Sequence, residues 1–555
     1  MDARDLVRVG NRTYLNMFKY AEPGDPLPVA GLTRSTQADM LQPLRDPLRL
    51  LADFAAIPPN YLVFTDDAGN VFAKNGRTGQ IEFQGKDATS VIQQAMDALT
   101  IGRTWKERVV LKGDFQLSSK LDVPSYTVLD LSQARLIRQA ETTFNMIEVI
   151  SKQYVDIIGG VIDGNDANVT HKGVDELTQM NIMLRDSSYC SVRGVTVINS
   201  TQNGIYLLDD SHNNVITENF VARNRRAGIL LYSKTVGRGP KHNVISNNIA
   251  TENGVPTAGR PGIYLSTSET RFNTVVGNVC FANYGMGIRV AEAVENYFGG
   301  NVLEANGDAG LITSGPAHRN IFAGNVVRGN AVQGVYINGG DGWIIEGNLV
   351  IANGREGIRT IGKYNQIHGN IVYLNNRTGI NLMAGADYSA VVDNIVLNNS
   401  QELAGGYVGV LLSSVTNCLV KGNIAIDDQA TKTQARGILE SGTADYNRIE
   451  NNNVNPNRTL PYIQKVGANT VVKNNRGHVT ENGGTAVFSG TGTQTTFTIS
   501  HGLAGTPKSW RVEAGSADAS GAKYVTADAT NLTVTFGVPP PAGTGNVVLV
   551  WQAEM

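Results

Sequence analysis

Two adjacent carboxylates, Asp209 and Asp210, with His212 two residues on, are the first residues in the chain whose types and spacing fit a reaction. Glycoside hydrolysis needs one carboxyl as acid and another as base or nucleophile, at a separation set by whether a water stands between them. Neighbouring Asp residues are equally turn chemistry, because Asp hydrogen-bonds its own backbone there. A second set is Tyr206, Tyr264, Arg289 and Arg359, each two residues after a Gly. β-Elimination beside a carboxylate needs a base and a cation to hold the charge that develops, and Tyr and Arg supply both. The same column serves as a sugar-stacking surface or as plain surface. The third set is cationic. Between Glu218 and Glu252 there is no acid, yet Arg223, Arg225, Arg226, Lys234, Arg238 and Lys241 all occur. On a chain of net charge −2 that is a local basic patch suited to a carboxylated or sulfated polysaccharide; the alternative is a solvated loop paired with Asp209, Asp210 or Glu218. The catalytic candidates are thus Asp209, Asp210, Tyr264 and Arg289, and the substrate-binding candidates Tyr206, His212, Arg225, Arg226, Lys234 and Arg238.

What positions these residues is written in asparagine. Of 53 Asn in 555 residues, 29 fall within residues 201 to 400. Asn320, Asn325 and Asn330 precede Gly334-Val335, and the phrase returns as Asn365, Asn370 and Asn375 before Gly379-Ile380. The middle Asn recurs at 219, 248, 278, 301, 325, 348, 370, 394, 423 and 453, at intervals of 22 to 30 residues. Between the Asn and Gly marks lie short runs of Val and Ile, which favour strands over helices. A self-similar period of this size means one unit stacked many times, here a coil of three short strands pairing in parallel with the next coil. Coils stacked at about 4.8 Å place identical side chains above one another, so each Asn bonds its neighbour in a ladder and Val327, Val350 and Val372 stack inside. Val279, Val302, Val326, Leu349, Ile371, Ile395 and Ile424 follow the marker Asn and precede a further apolar residue. Alternation sends one of the two outward as an apolar stripe unless a bend turns both in, and such a stripe suits lateral packing of three copies.

The Asn-x-(Ile/Val)-x-x-Asn phrase with Gly-Ile resembles the right-handed parallel β-helix repeat of the pectate-lyase-like superfamily, including its carbohydrate-binding and sugar-hydrolase members. Asp87 to Leu99 resembles the amphipathic helix that caps the first coil there, with Asp87 or Thr89 as N-cap. The resemblance covers residues from about 80 to 478. It implies an all-β fold and function in the outward side chains and in loops that break the repeat, such as the coil of 34 residues from Gly228 to Gly262 with insertions 233–241 and 253–261. The hydrolase phrases of the superfamily, Asn-Thr-Asp, His-Gly and Arg-Ile-Lys in order, are missing, as is the Asp-Pro-His-Asp of alginate epimerases.

Outside the repeat, residues 1–60 read as an N-terminal arm or attachment region, with a helical spacing of leucines between Ser35 and Phe54, and 61–478 as the capped helix. Leu62 to Phe64 and Val71 to Ala73 flank a turn at Asp66 to Asn70, a hairpin. Residues 479–555 alternate in short strands as a small antiparallel β-sandwich, and His501 to Pro507 resembles modules at the ends of viral tail and fibre proteins. Cys190, Cys280 and Cys418 are too far apart for a disulfide framework or zinc site and read as small buried hydrophobes. The near-neutral balance gives no case for nucleic acid, no apolar run is long enough to insert in a membrane, and the first residues lack the apolar stretch of a secretory signal peptide. No cofactor is required, although calcium on loop carboxylates fits such a fold. The expectation is an extracellular or virion-borne, tailspike-like homotrimer that recognises a polysaccharide, with a free polysaccharide lyase or glycoside hydrolase, or a purely structural surface fibre, as the alternatives.

Overall fold

A computed structural model describes residues 6–9, 12–15, 58–172 and 177–555; the leucine-spaced segment before Phe54 lies outside them. The chain forms two compact units, Met1–Val221 with Asn243–Asn248, and Ala222–His242 with Ile249–Met555. Both are built of stacked coils, giving an all-β, right-handed parallel β-helix.

In the first unit, Tyr61–Thr65 and Val71–Asn75 pair antiparallel across a turn in which the Asp66 carboxylate accepts from Ala68 N and Asn70 N at 3.0 and 2.8 Å. Tyr61–Thr65 also pairs in parallel with Glu107–Leu117, which starts the coils. The helix Ala88–Asp97 buries Val91, Ile92, Ala95 and Met96 and is capped by Asp87, whose side chain accepts from Thr89 N. Its apolar face recurs at helical spacing, which is why this stretch leaves the strand pattern.

The second unit carries most of the coils. Each has a first strand such as Ile321–Ala323, a second such as Val326–Arg328 and a third such as Val335–Ile337, every one in parallel register with its counterpart in the next coil. The corner between first and second strands holds the marker Asn. Asn325 N and Nδ2 both donate to Asn348 Oδ1, at 2.8 and 3.0 Å, and Asn348 repeats the pattern on Asn370. The ladder runs from Asn278 through Asn423 to Asn452 and Asn475, so its rung beyond Asn423 is Asn452 and not the Asn453 that the spacing marks. A second ladder stands at the next corner, from Asn253 through Asn283, Asn306 and Asn330 to Asn399. Val327, Val350 and Val372 are fully buried in register.

The paired apolar residues after the marker Asn are split by alternation, with no bend. The second of each pair is buried, while the first faces outward, Ile371 at 42% and Ile424 at 37% exposure. The same unit ends in two three-stranded antiparallel sheets enclosing Phe497, Leu532, Val534, Phe536, Val547 and Leu549. Sequence spacing located five of the six strands and passed over Glu481–Gly490, whose Gly-Gly and polar content hides a strand.

Candidate functional site

The third strands form a parallel sheet whose middle residue points outward. In the second unit these residues run Leu230, Tyr264, Arg289, Ile312, Tyr336, Arg359, Asn381, each in register with the next. The flanking residues, such as Ile263 and Leu265, are fully buried, so backbone alternation alone fixes which side chains face out. Arg289 lies over the ring of Tyr264 at 5.1 Å from guanidinium carbon to centroid, and Arg359 over Tyr336 at 4.7 Å. Arg289 Nη2 also donates to Ser314 Oγ at 3.4 Å.

Arg260, in the insertion before Gly262, joins this surface. Its pKa is held below the ordinary arginine value first by burial and then by the charges of Arg226 and Arg289, against which Tyr264 acts weakly in the other direction. Three guanidinium groups therefore share one half-buried region. Among the described residues none of Arg226, Arg260, Arg289 and Arg359 forms an ion pair, and Arg359 Nε is buried without a hydrogen-bond partner.

The other candidates are placed differently. Arg225, Lys234 and Arg238 are all engaged by neighbours. The 233–241 insertion is tied by Ser233 Oγ, which donates to the carbonyls of Thr235 and Arg238, and Lys241 lines a cavity of about 290 Å³ with Glu269 and Arg271, so an acid meets this part of the basic run. In the first unit, Tyr206 and Asp209 are buried, at 2% and 1% exposure. The Asp209 carboxylate lies 3.3 Å from Arg185 Nε, in a left-handed turn residue. Asp210 donates its backbone N–H to the Asp186 carboxylate, and His212 meets the ring of Tyr189 edge-on at 6.0 Å. Sequence reasoning passed over Arg260 and Tyr336. Tyr336 stands two residues after Gly334, the same signal that marked Tyr264, whereas Arg260 lies in an insertion whose path no periodicity gives.

Residues 148–284 and 257–406 match a protein family described as periplasmic copper-binding protein (NosD). Burial pushes the thiol of Cys190 up to about 11, that of Cys418 up to about 12 and that of Cys280 higher still, and among the described residues no three His, Cys, Asp or Glu converge. No curated protein matches the chain. Among solved structures, the A-module of mannuronan C-5 epimerase AlgE6 of Azotobacter vinelandii is 16% identical with a TM-score of 0.43, over 70% of this chain and 95% of that one. Pre-mature bacteriophage phi29 gene product 12 is 13% identical with a TM-score of 0.50, over 70% of this chain and 55% of that one. Dettilon tailspike protein is 13% identical with a TM-score of 0.40, over 84% of this chain and 91% of that one. At these identities the likeness is one of fold. The ladders and the register of the coils make the chain a right-handed parallel β-helix protein, a fold it shares with the phi29 gene product.

Proposed function

We propose that the third-strand face of the second unit binds an acidic polysaccharide, with Arg226, Arg260, Tyr264 and Arg289 at its centre. The protein that carries it is a homotrimeric, tailspike- or fibre-like molecule of the cell exterior or a virion. The observation behind the reading is the Arg289 guanidinium lying on Tyr264 one coil from Arg260, whose charged form burial and the charges of Arg226 and Arg289 disfavour, with none of the three arginines in an ion pair among the described residues. Like charges held together in a half-buried region cost free energy that an external anion relieves. Arginine presents a planar fork that takes a carboxylate or sulfate through two parallel hydrogen bonds, and Tyr264 beneath Arg289 adds a flat apolar surface of the kind sugar rings rest on. Support for three copies comes from the outward aliphatic stripe on the second strands, which suits closed packing of identical chains.

Titration of the full chain with polygalacturonate and with heparin fragments, against neutral dextran, tests the reading. Acidic glycans are expected to bind, with affinity weakened about tenfold to a hundredfold by Arg289→Ala, the range for one charge-assisted hydrogen-bonding group. Equal binding of dextran, or affinity unmoved by Arg260→Ala and Arg289→Ala, would sink it. A second reading, β-elimination at the same place, draws on the proximity of the Tyr264 ring to the Arg289 guanidinium; ultraviolet absorbance of unsaturated sugar ends during the same incubations decides it.

A further inference from the structure

The arginine–tyrosine face is not a uniform cationic strip. Its outward column repeats one module: Tyr264 with Arg289 on the next rung, then Ile312, then Tyr336 with Arg359 on the next rung. The turn beside this column, where each residue's N–H donates to the carbonyl one coil before, runs Arg260, Gly285, Asp308, Val332, Arg355, Arg377. Cationic groups therefore gather at two levels, around Arg260 and Arg289 and around Arg355 and Arg359. Between them stand an aliphatic side chain, Ile312, and a carboxylate, Asp308. Arg377 is held by Glu402 at 2.7 Å and belongs to the scaffold. In the second module Arg359 Nε and, one rung on, Asn381 Oδ1 are buried polar atoms without partners.

From these positions we infer that the face reads its ligand at two points three coils apart, and that the ligand is a linear glycan turning an anionic group toward the face from every third sugar residue. The inference rests on the acidic-glycan reading above and adds a length and a charge spacing to it. Three coil steps separate Arg289 from Arg359, about 14 Å at the usual strand spacing. A sugar ring in an extended chain advances by close to one coil height, so the shortest ligand reaching both modules is a tetrasaccharide charged on its first and fourth residues. Residues that rotate about the chain axis point the intermediate charges away from Ile312 and Asp308. Contact with the first module makes contact with the second intramolecular, so affinity rises by a step at the spanning length and not in even increments.

The test is calorimetry of the full chain with oligogalacturonates from disaccharide to hexasaccharide, and with a heparin-derived series of the same lengths as the sulfated arm. The expected result is a step of about tenfold or more between trisaccharide and tetrasaccharide in the series that binds. Arg359→Gln removes the step while an unshifted urea midpoint shows that the variant is folded, and Arg289→Gln weakens every length. Affinity rising evenly with length, or a step that survives Arg359→Gln, overturns the two-point reading and leaves glycan binding standing. No binding at any length in either series overturns the acidic-glycan reading together with this one.

Discussion

The two outer surfaces of the second unit treat charge in opposite ways. On the side of the first and second strands charges are matched from coil to coil: Glu295 with Arg319 at 2.8 Å, Glu304 with Arg328 at 2.9 Å, Glu346 with His368 at 3.1 Å and Lys421 with Glu450 at 3.8 Å. Between these pairs lie aliphatic residues such as Leu349, Ile371 and Ile395. On the third-strand side Arg226, Arg260, Arg289 and Arg359 form no ion pair among the described residues, although Asp308 stands in the turn one coil on from Gly285. Both surfaces cover the same interior of Asn ladders and stacked Val and Ile. The interior code is thus indifferent to what lies outside it, and the cationic surface is the one on which the proposed glycan binding depends.

The largest effect is expected where both surfaces depend on one element. Asn348 Oδ1 accepts from Asn325 N and Nδ2, and its Nδ2 donates to Phe322 O at 2.9 Å. Asn348→Ala strands buried donors and an acceptor at once, a loss of about 4 kcal/mol from several unsatisfied groups. Urea unfolding followed by fluorescence and by protease sensitivity would show it; a loss below about 1 kcal/mol would mean the ladder is incidental to stability. Next in size is the reversal of one charge on the unpaired surface. Arg289→Glu is expected to weaken acidic-glycan binding about a hundredfold while the chain stays folded, and unchanged affinity would erase the distinction between the surfaces. Ile371→Lys probes the other side: in the proposed trimer it puts three charges into an aliphatic contact, so the mass in solution should fall from three chains to one, and a wild type already monomeric at micromolar concentration breaks the trimer proposal.

How much of this was legible in the sequence follows from what repeats. The coil, its ladders and the outward set of Tyr and Arg could be read because identical positions demand similar residues when coils stack in register. Asn452 in place of Asn453 shows the limit, since five Asn crowd residues 451–457 and spacing cannot choose among them. Site geometry was legible only in part. Arg289 and Tyr264 were found from their place after Gly, but Arg260 joins them through an insertion whose course depends on packing. The burial of Asp209 against Arg185, a partner 24 residues earlier, is likewise a product of coil stacking that local sequence does not announce.

The smallest expected effects are the most discriminating, because they differ in sign. Arg328 is 53% exposed and paired with Glu304 at 2.9 Å, and its pKa is raised by that hydrogen bond. An exposed pair of this kind contributes a few tenths of a kcal/mol, so Arg328→Gln should lower stability by about that much and leave glycan affinity untouched. Arg260 is the reverse case. Burial and the neighbouring charges of Arg226 and Arg289 disfavour its charged form in the folded chain, so Arg260→Gln removes an unfavourable term. Stability should rise slightly while acidic-glycan affinity falls, the exchange expected of a residue kept for binding at the expense of the fold. Salt sharpens the contrast, since added ions screen repulsion on one surface and attraction on the other. Urea midpoints at low and high ionic strength should therefore bring Arg260→Gln and wild type closer together as salt rises. A fall in stability for Arg260→Gln at low salt would mean that an internal interaction already satisfies this arginine.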